Sequence, residues 1–155
     1  PLKGYRLVKG EVPDERFQTP LGKARIARTG SDVTLIAWSA AAVMVTQAAE
    51  QLDQMGIDAE VIDLRSLNPL DVETIAASVC KTGRVAVVQE APFTGGFGSE
   101  IAATIGQECF YDLQAPVLRI TAPDTPYPLG GVEDMYVPDA DRVVAEVAAL
   151  MQVAP

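Results

Sequence analysis

The stretch Val33-Thr34-Leu35-Ile36-Ala37-Trp38 is a run of apolar and β-branched residues that follows the turn-forming cluster Thr29-Gly30-Ser31-Asp32. A short apolar run between turn signals is typical of a strand that is buried on both faces. Further runs of the same kind occur downstream, at residues 59–63, 84–89 and 117–121. The sequence therefore predicts four buried strands.

Helical periodicity separates these strands. Apolar residues recur at i, i+3, i+4 and i+7 in the intervening segments, which is the pattern of amphipathic helices. The pattern predicts helices near residues 41–55, 70–80, 99–109 and 140–152. We expect the second helix to begin with Asn68 as its N-cap and Pro69 in its first turn.

The alternation of strands and helices predicts the fold class. Parallel strands joined by helices form right-handed crossovers, and the helices then cover both faces of the sheet. We therefore expect an α/β fold, a three-layer α/β/α sandwich with a mostly parallel sheet. The short, charged segment Arg25-Ile26-Ala27-Arg28 is predicted to be an antiparallel edge strand, because charge and short length protect sheet edges from aggregation.

Length and composition indicate one globular domain. The chain has 155 residues, of which 48% are hydrophobic, which is enough for one core. Residues 1–22 are rich in charge, proline and glycine, so we expect an arm or linker there and a folded domain over residues 23–155. The sequence has neither a run of about 20 apolar residues nor a signal-peptide pattern, which predicts a soluble, cytoplasmic protein.

Charge and residue usage exclude several functions. The net charge of −9 disfavours a nucleic-acid partner and leaves basic proteins as candidates. The chain contains no histidine, which removes the commonest general base and the Ser-His and Cys-His dyads. Cys80 and Cys109 lie in apolar helical patterns without metal-ligand spacing, so we expect buried, reduced thiols.

The loop after the third buried strand is the first candidate site, because ligands of open α/β sheets bind beyond the carboxyl ends of the strands. It contains Glu90 and the glycine-rich stretch Thr94-Gly95-Gly96-Phe97-Gly98. Its backbone N–H groups could hold a phosphate or carboxylate, or its glycines could permit a tight, closely packed turn. Glu90 could act as a base or form a structural hydrogen bond. If Gly96 or Gly98 has a positive φ, alanine at that position should cost on the order of 1 kcal/mol or more, because of strain that glycine avoids.

Aromatic and proline residues suggest that this region is an interface. Phe93 and Phe97 could anchor the loop or contact a partner. Pro126-Tyr127-Pro128 belongs to a stiff loop suited either to an interface or to chain reversal. The candidate interface residues are therefore Glu90, Phe93, Gly95, Gly96, Phe97, Gly98, Pro126, Tyr127 and Pro128. No catalytic, cofactor-binding or metal-binding residue is assigned.

Longer motifs point to a family. They are Ile62-Asp63-Leu64-Arg65-Ser66-Leu67-Asn68-Pro69-Leu70-Asp71, Gln89-Glu90-Ala91-Pro92, Thr94-Gly95-Gly96-Phe97-Gly98-Ser99-Glu100-Ile101, Asp124-Thr125-Pro126-Tyr127-Pro128 and Tyr136-Val137-Pro138-Asp139. In order and spacing they resemble the transketolase-type carboxy-terminal domain of the beta subunits of thiamin-diphosphate-dependent 2-oxo acid dehydrogenases. The resemblance covers nearly the whole chain.

The resemblance implies an enzyme that uses thiamin diphosphate and magnesium to decarboxylate pyruvate or a branched-chain 2-oxo acid and to acylate a lipoyl group. In that family the cofactor is held by the alpha subunit and by a pyrimidine-binding domain that would precede residue 1. The chain itself would be a non-catalytic assembly and docking domain. Its partners would be alpha subunits and a second beta subunit in a heterotetramer, and the basic subunit-binding domain of a dihydrolipoyl acyltransferase. A eukaryotic member would lie in the mitochondrial matrix.

Two other functions stay open at this point. The chain could be the equivalent domain of transketolase or of a sugar-phosphate synthase, although the lack of histidine and the Glu90-Ala91-Pro92 motif with its glycine loop count against this. It could also be a regulatory module whose glycine loop binds an anionic effector. Titration with anions would distinguish the second alternative.

Overall fold

A computed structural model describes residues 14–128, 130, 132 and 135–152. Its elements in chain order are β1 Arg25–Arg28, β2 Val33–Ala37, α1 Ala40–Gln54, β3 Ala59–Asp63, α2 Val72–Thr82, β4 Val85–Pro92, α3 Gly98–Glu108, β5 Leu118–Ala122 and α4 Ala140–Met151. All four predicted strands and all four predicted helices are present, within about three residues of the predicted bounds. Within the described residues, no helix is long and apolar enough to cross a membrane.

The five strands form one sheet in the order β1-β3-β2-β4-β5. Strand β2 lies at the centre and pairs in parallel with β3 and β4, and β4 pairs in parallel with β5. Strand β1 pairs antiparallel with β3, with Arg25 opposite Asp63. The predicted mostly parallel sheet with an antiparallel edge strand is confirmed.

Helices cover both faces of the sheet. The alternation of side chains along β2 sends Leu35 to one face and Ile36 to the other. On the first face, Val45 of α1 and Val147 of α4 complete an apolar core. On the second face, α2 and α3 supply the buried residues Ile75, Val79, Ile101 and Ile105. The predicted three-layer sandwich is therefore confirmed.

The start of α2 differs from the prediction. Asn68–Pro69 is a cis peptide in the connection before the helix. The N-cap is Asp71, whose carboxylate accepts a hydrogen bond from the Thr74 N–H at 3.3 Å. An ionised acceptor at this position satisfies a free N–H of the first turn and suits the positive end of the helix dipole.

A buried polar cluster joins α2 to β3. Glu60 is buried, and it accepts hydrogen bonds from the Lys81 ammonium, the Ser78 hydroxyl and the Gly30 N–H. Burial alone would raise the pKa of Glu60, but these hydrogen bonds outweigh it and hold the pKa below its ordinary value. Thr34 extends the cluster through the Ser78 hydroxyl at 2.8 Å.

The cysteines are both free thiols, but only Cys109 is buried. The prediction that Cys80 is buried is wrong, because Ile75 and Val79 occupy the inward face of α2 and the next position turns toward solvent. The Cys80 sulfur contacts the Asp112 carboxylate at 3.3 Å. Loss of solvation around the sulfur, with contacts to Cys109 and Asp112, raises the pKa of Cys80 to about 12.

Candidate interaction site at the carboxyl end of the sheet

The loops that follow β4 and β5 are joined to each other. The Asp124 carboxylate accepts hydrogen bonds from the Thr94 N–H at 2.8 Å and from the Thr94 hydroxyl at 2.7 Å. These bonds to Thr94 hold the pKa of Asp124 below its ordinary value. The structure therefore brings the glycine-rich loop and the Pro126-Tyr127-Pro128 loop together on one surface, although the sequence motifs that contain them are separate.

Phe93 is an exposed aromatic residue with a fixed orientation. The Arg119 guanidinium carbon lies 3.6 Å from the centroid of the Phe93 ring, in a cation–π arrangement. Arg119 is itself held, because it donates a hydrogen bond to the Ser99 hydroxyl at 2.6 Å. An apolar group that is already immobilised loses little conformational entropy when a partner binds to it.

The Gln89 side chain leaves room only for glycine at positions 96 and 98 of the loop. Its buried amide accepts a hydrogen bond from the Gly98 N–H at 2.7 Å and donates one to the Pro92 carbonyl at 3.0 Å. A Cβ on Gly96 would lie 2.0 Å from the Gln89 Nε2 atom. A positive φ is found at Gly95, at 75°, and not at Gly96 or Gly98. Gly96 and Gly98 are needed for their small size, because the loop packs on a buried amide.

Phe97 is a loop anchor that also lines a groove. Its ring meets Trp38 edge-on, with centroids 6.4 Å apart, and it packs on the core beneath α2 and α3. This contact fixes the loop where α3 begins.

Tyr127 is exposed beside a buried tyrosine. Its ring lies 5.0 Å from that of Tyr136, edge-on, and the Tyr136 hydroxyl donates a hydrogen bond to the Thr125 carbonyl at 2.9 Å. Tyr127, like Phe93, is therefore an exposed aromatic residue held in place by a neighbouring side chain, here Tyr136. Pro126 is exposed next to it.

Glu90 lies within β4 and not at its end. The strand continues past a register irregularity to Pro92, which pairs with Ala122. Glu90 is partly buried, so it is placed at the edge of the site and not in the loop. The sequence interpretation missed this extension because the pairing of Pro92 depends on a strand 30 residues away.

Three polar residues that organise the site were not selected from the sequence. They are Gln89, Arg119 and Asp124, each of which fixes the loop or one of its aromatic residues. A sequence signal existed for two of them. Gln89 ends an apolar run, and Arg119 interrupts another, and a polar residue within a buried strand requires a partner.

A groove of about 590 Å³ lies between the β3–α2 connection and the glycine-rich loop. Its walls include Leu67, Leu70 and Phe97, and Glu100 is the charged side chain among the lining residues that the structure describes. A carboxylate at this position would repel a phosphate or another anion. The anion-binding interpretation of the loop is therefore not favoured by its surroundings.

Thiamin diphosphate and magnesium do not fit the residues that line this groove. A diphosphate needs cationic or N–H donors, and magnesium needs oxygen ligands together with the phosphates. The groove offers the Glu100 carboxylate instead. In the described part of the chain, no group of three or more His, Cys, Asp or Glu side chains could hold a metal ion.

A second apolar surface lies at the opposite, amino end of the sheet. Phe110 and Tyr111 follow α3, with ring centroids 5.3 Å apart, and Tyr111 is 96% exposed. A separate groove of about 380 Å³ lies at the same end of the sheet, between the start of β5 and the end of α4. Acidic residues flank the aromatic pair in sequence, at Glu108 and Asp112, whereas Glu146 lines the separate groove and pairs with Arg142 at 2.7 Å.

The sequence of the chain is similar to that of a known family and of known proteins. The family described as "Transketolase, C-terminal domain" matches residues 22–143. The beta subunit of the pyruvate dehydrogenase E1 component from Leifsonia xyli is 46% identical over 90% of this chain and 41% of the relative. The mitochondrial 2-oxoisovalerate dehydrogenase subunit beta from Dictyostelium discoideum is 48% identical over 87% of this chain and 36% of the relative. The chain thus spans less than half the length of these relatives.

A solved structure shares the fold. The chain is similar to a protein described as "Split gene transketolase, inactive beta4 tetramer", with a TM-score of 0.79 and 29% identity. The similarity covers 96% of this chain and 47% of that chain.

Proposed function

Because the chain belongs to the transketolase C-terminal domain family, we propose that it is the carboxy-terminal domain of a 2-oxo acid dehydrogenase beta subunit. The observation that carries the proposal is the identity of 46% and 48% to beta subunits of two such dehydrogenases, along about nine tenths of the chain. The identity to the split-gene transketolase is 29%, which favours the dehydrogenases over a sugar-phosphate enzyme.

The role of the domain in that enzyme is assembly and docking without catalysis. The whole enzyme would oxidatively decarboxylate pyruvate or a branched-chain 2-oxo acid and transfer the acyl group to a lipoyl group. Thiamin diphosphate and magnesium would be held elsewhere, by the alpha subunit and a pyrimidine-binding domain to which residues 1–22 connect. The absence of histidine from this chain and the acidic groove agree with that division. The compartment would be the cytoplasm, or the mitochondrial matrix in a eukaryote.

The carboxyl end of the sheet is the surface that we assign to assembly. Phe93 and Tyr127 are exposed and held in place by Arg119 and Tyr136. Aromatic residues that are fixed before binding are the usual energetic centres of protein interfaces. The alpha subunit and the second beta subunit of a heterotetramer are the proposed partners.

The amino end of the sheet is the surface that we assign to docking. Phe110 and Tyr111 supply apolar contact there, and Glu108 and Asp112, which flank them in sequence, supply negative charge. A basic domain such as the subunit-binding domain of a dihydrolipoyl acyltransferase fits this combination. Electrostatic attraction of this kind mainly accelerates association, and it weakens as the screening length falls from about 8 Å at physiological salt to about 3 Å at 1 M. The association rate is therefore expected to fall with salt, with a smaller change in dissociation.

The assembly proposal is tested in the complete beta subunit that contains this chain, co-expressed with its alpha subunit. We expect a heterotetramer that decarboxylates pyruvate or 2-oxoisovalerate. Phe93→Ser together with Tyr127→Ser should reduce the heterotetramer fraction measured by light scattering. Met55→Ser is the matched control, because Met55 is an exposed apolar residue at the end of α1, away from this surface. Equal assembly of both variants, or turnover of sugar phosphates in place of 2-oxo acids, would contradict the proposal.

A further inference from the structure

The arm that precedes β1, residues 14–24, lies against the β3–α2 connection. Thr19 accepts a hydrogen bond from the Arg65 guanidinium at 3.0 Å. Gly22 approaches Pro69 so closely that a Cβ on Gly22 would lie 2.8 Å from the Pro69 Cγ atom. The arm therefore follows a defined path over the same connection that forms one wall of the groove at the carboxyl end.

Asp71 holds the end of this arm while it also caps α2. Its Oδ2 atom accepts hydrogen bonds from the Ala24 N–H at 2.9 Å and the Thr74 hydroxyl at 2.8 Å, and its Oδ1 atom accepts from the Thr74 N–H at 3.3 Å. The Lys23 ammonium lies 3.5 Å from Oδ1. One carboxylate that is only 4% exposed thus serves the helix and the arm together.

The arm carries apolar side chains that the rest of the domain does not cover. Phe17 is 62% exposed and Leu21 is 87% exposed. Leu21 is next to Gly22, which touches Pro69, and Leu67 and Leu70 from the same connection line the neighbouring groove. When the arm is held, Leu21 extends the apolar surface at the carboxyl end.

We propose that Asp71 is a positioning residue that fixes the arm on the domain, and that the held arm is part of the assembly surface. This inference rests on the proposed function of that surface. It predicts that the arm can be released without unfolding α2, because the two tasks of Asp71 use separable hydrogen bonds.

Asp71→Asn separates the two tasks. Asparagine caps helices about as well as aspartate, so its carbonyl oxygen can keep the bond from the Thr74 N–H. Its NH₂ group then faces the Ala24 N–H, and two donors cannot bond to each other. The matched control is Asp139→Asn, because Asp139 caps α4 through the Arg142 N–H at 2.8 Å and belongs to another part of the fold.

The experiment follows hydrogen exchange by mass spectrometry in the 155-residue chain. In Asp71→Asn we expect exchange of the Ala24 amide, followed in overlapping peptides that end before and after residue 24, to accelerate by about tenfold or more. The reason is that losing a hydrogen bond to a charged group costs at least about 1.4 kcal/mol, a factor of ten. Peptides within α2 should exchange as in the wild type. Asp139→Asn should leave the arm unchanged. If Asp71→Asn does not fold, Lys23→Met tests the same anchor, with a smaller acceleration expected in the arm alone.

Assembly with the alpha subunit then tests the functional half in the complete beta subunit. We expect Asp71→Asn to lower the heterotetramer fraction, and Asp139→Asn to leave it unchanged. Unchanged arm exchange in Asp71→Asn and Lys23→Met overturns the inference. A released arm with normal assembly also overturns the inference. The proposed function survives that result if Phe93→Ser together with Tyr127→Ser still weakens assembly. If none of the variants weakens assembly, the proposed function itself fails.

Discussion

Replacing Gly96 by alanine is expected to destabilise the protein through a steric clash with Gln89. The added Cβ would lie 2.0 Å from the Gln89 Nε2 atom and 2.6 Å from the Pro92 carbonyl oxygen. Gln89 is only 1% exposed, and its amide is bonded to both the Gly98 N–H and the Pro92 carbonyl. The amide therefore cannot move aside without breaking the hydrogen bonds of a buried side chain, of which the bond from the Gly98 N–H is itself buried.

The magnitude follows from these two costs. Overpacking in a well-packed region costs about 1–3 kcal/mol, and leaving a buried amide without its partner costs about 1–3 kcal/mol. Because partial relaxation lowers the sum, we expect Gly96→Ala to reduce the free energy of unfolding by about 2–4 kcal/mol. In a chain of 155 residues this corresponds to a fall in Tm of about 4–16 °C.

Two other glycines provide controls in the same urea-unfolding assay. Gly95 has a φ of 75° with open space around it, so Gly95→Ala tests backbone strain alone and should cost about 1 kcal/mol. Gly106 lies inside α3 with open space around it, so Gly106→Ala should stabilise by about 0.5–1 kcal/mol.

The three alanine variants are expected to differ in stability. Gly96→Ala should be the least stable, followed by Gly95→Ala, with Gly106→Ala above the wild type. A Gly96→Ala protein as stable as Gly95→Ala would refute the idea that the loop is packed on the Gln89 amide. In the double variant Gln89→Ala with Gly96→Ala, the clash is absent. Its loss of unfolding free energy should therefore be smaller than the sum of the losses in the two single variants.

Three further predictions address the rest of the chain. Ser39 has φ 60° and ψ −136°, a combination essentially restricted to glycine. Ser39→Gly should therefore raise the free energy of unfolding by about 1 kcal/mol. A lower urea midpoint in this variant would contradict the prediction. Lys81→Met should lower the free energy of unfolding by about 1–2 kcal/mol at pH 7, because it leaves the buried Glu60 carboxylate without its ammonium partner. This value is smaller than for a fully buried pair because the Lys81 side chain is 48% exposed. The pKa of Glu60 is held below its ordinary value of 4.5. The stabilisation from the Lys81–Glu60 pair is therefore present above pH 4.5 and disappears as the pH falls through the pKa of Glu60 in the folded protein. The acid unfolding curves of the wild type and Lys81→Met should converge below that pKa. The isolated chain should give no saturable heat with thiamin diphosphate and magnesium in calorimetry, because Glu100 repels a diphosphate in the groove; micromolar binding would overturn that assignment.

Much of the fold could be predicted because its signals are local. The alternation of Leu35 and Ile36 across β2 and the apolar stripe of α2 are properties of short segments, and they set the layers of the sandwich. One error lies where a partner distant in sequence decides the outcome, because β4 extends to Pro92 through its pairing with Ala122. The start of α2 is an error of another kind, because the cap at Asp71 is local and the sequence interpretation missed it in favour of Asn68.

The candidate site shows the same division more sharply. The sequence identifies Phe93 and the glycines as residues at the carboxyl end of the sheet, because that follows from where β4 ends and α3 begins. It does not reveal what fixes them: Asp124 is 30 residues from Thr94 along the chain, and Arg119 is 26 residues from Phe93. Such contacts are set by how β5 packs beside β4, which no local pattern encodes. The buried Gln89 is the exception, because a polar residue closing an apolar strand must find a partner nearby, and the loop that follows supplies it.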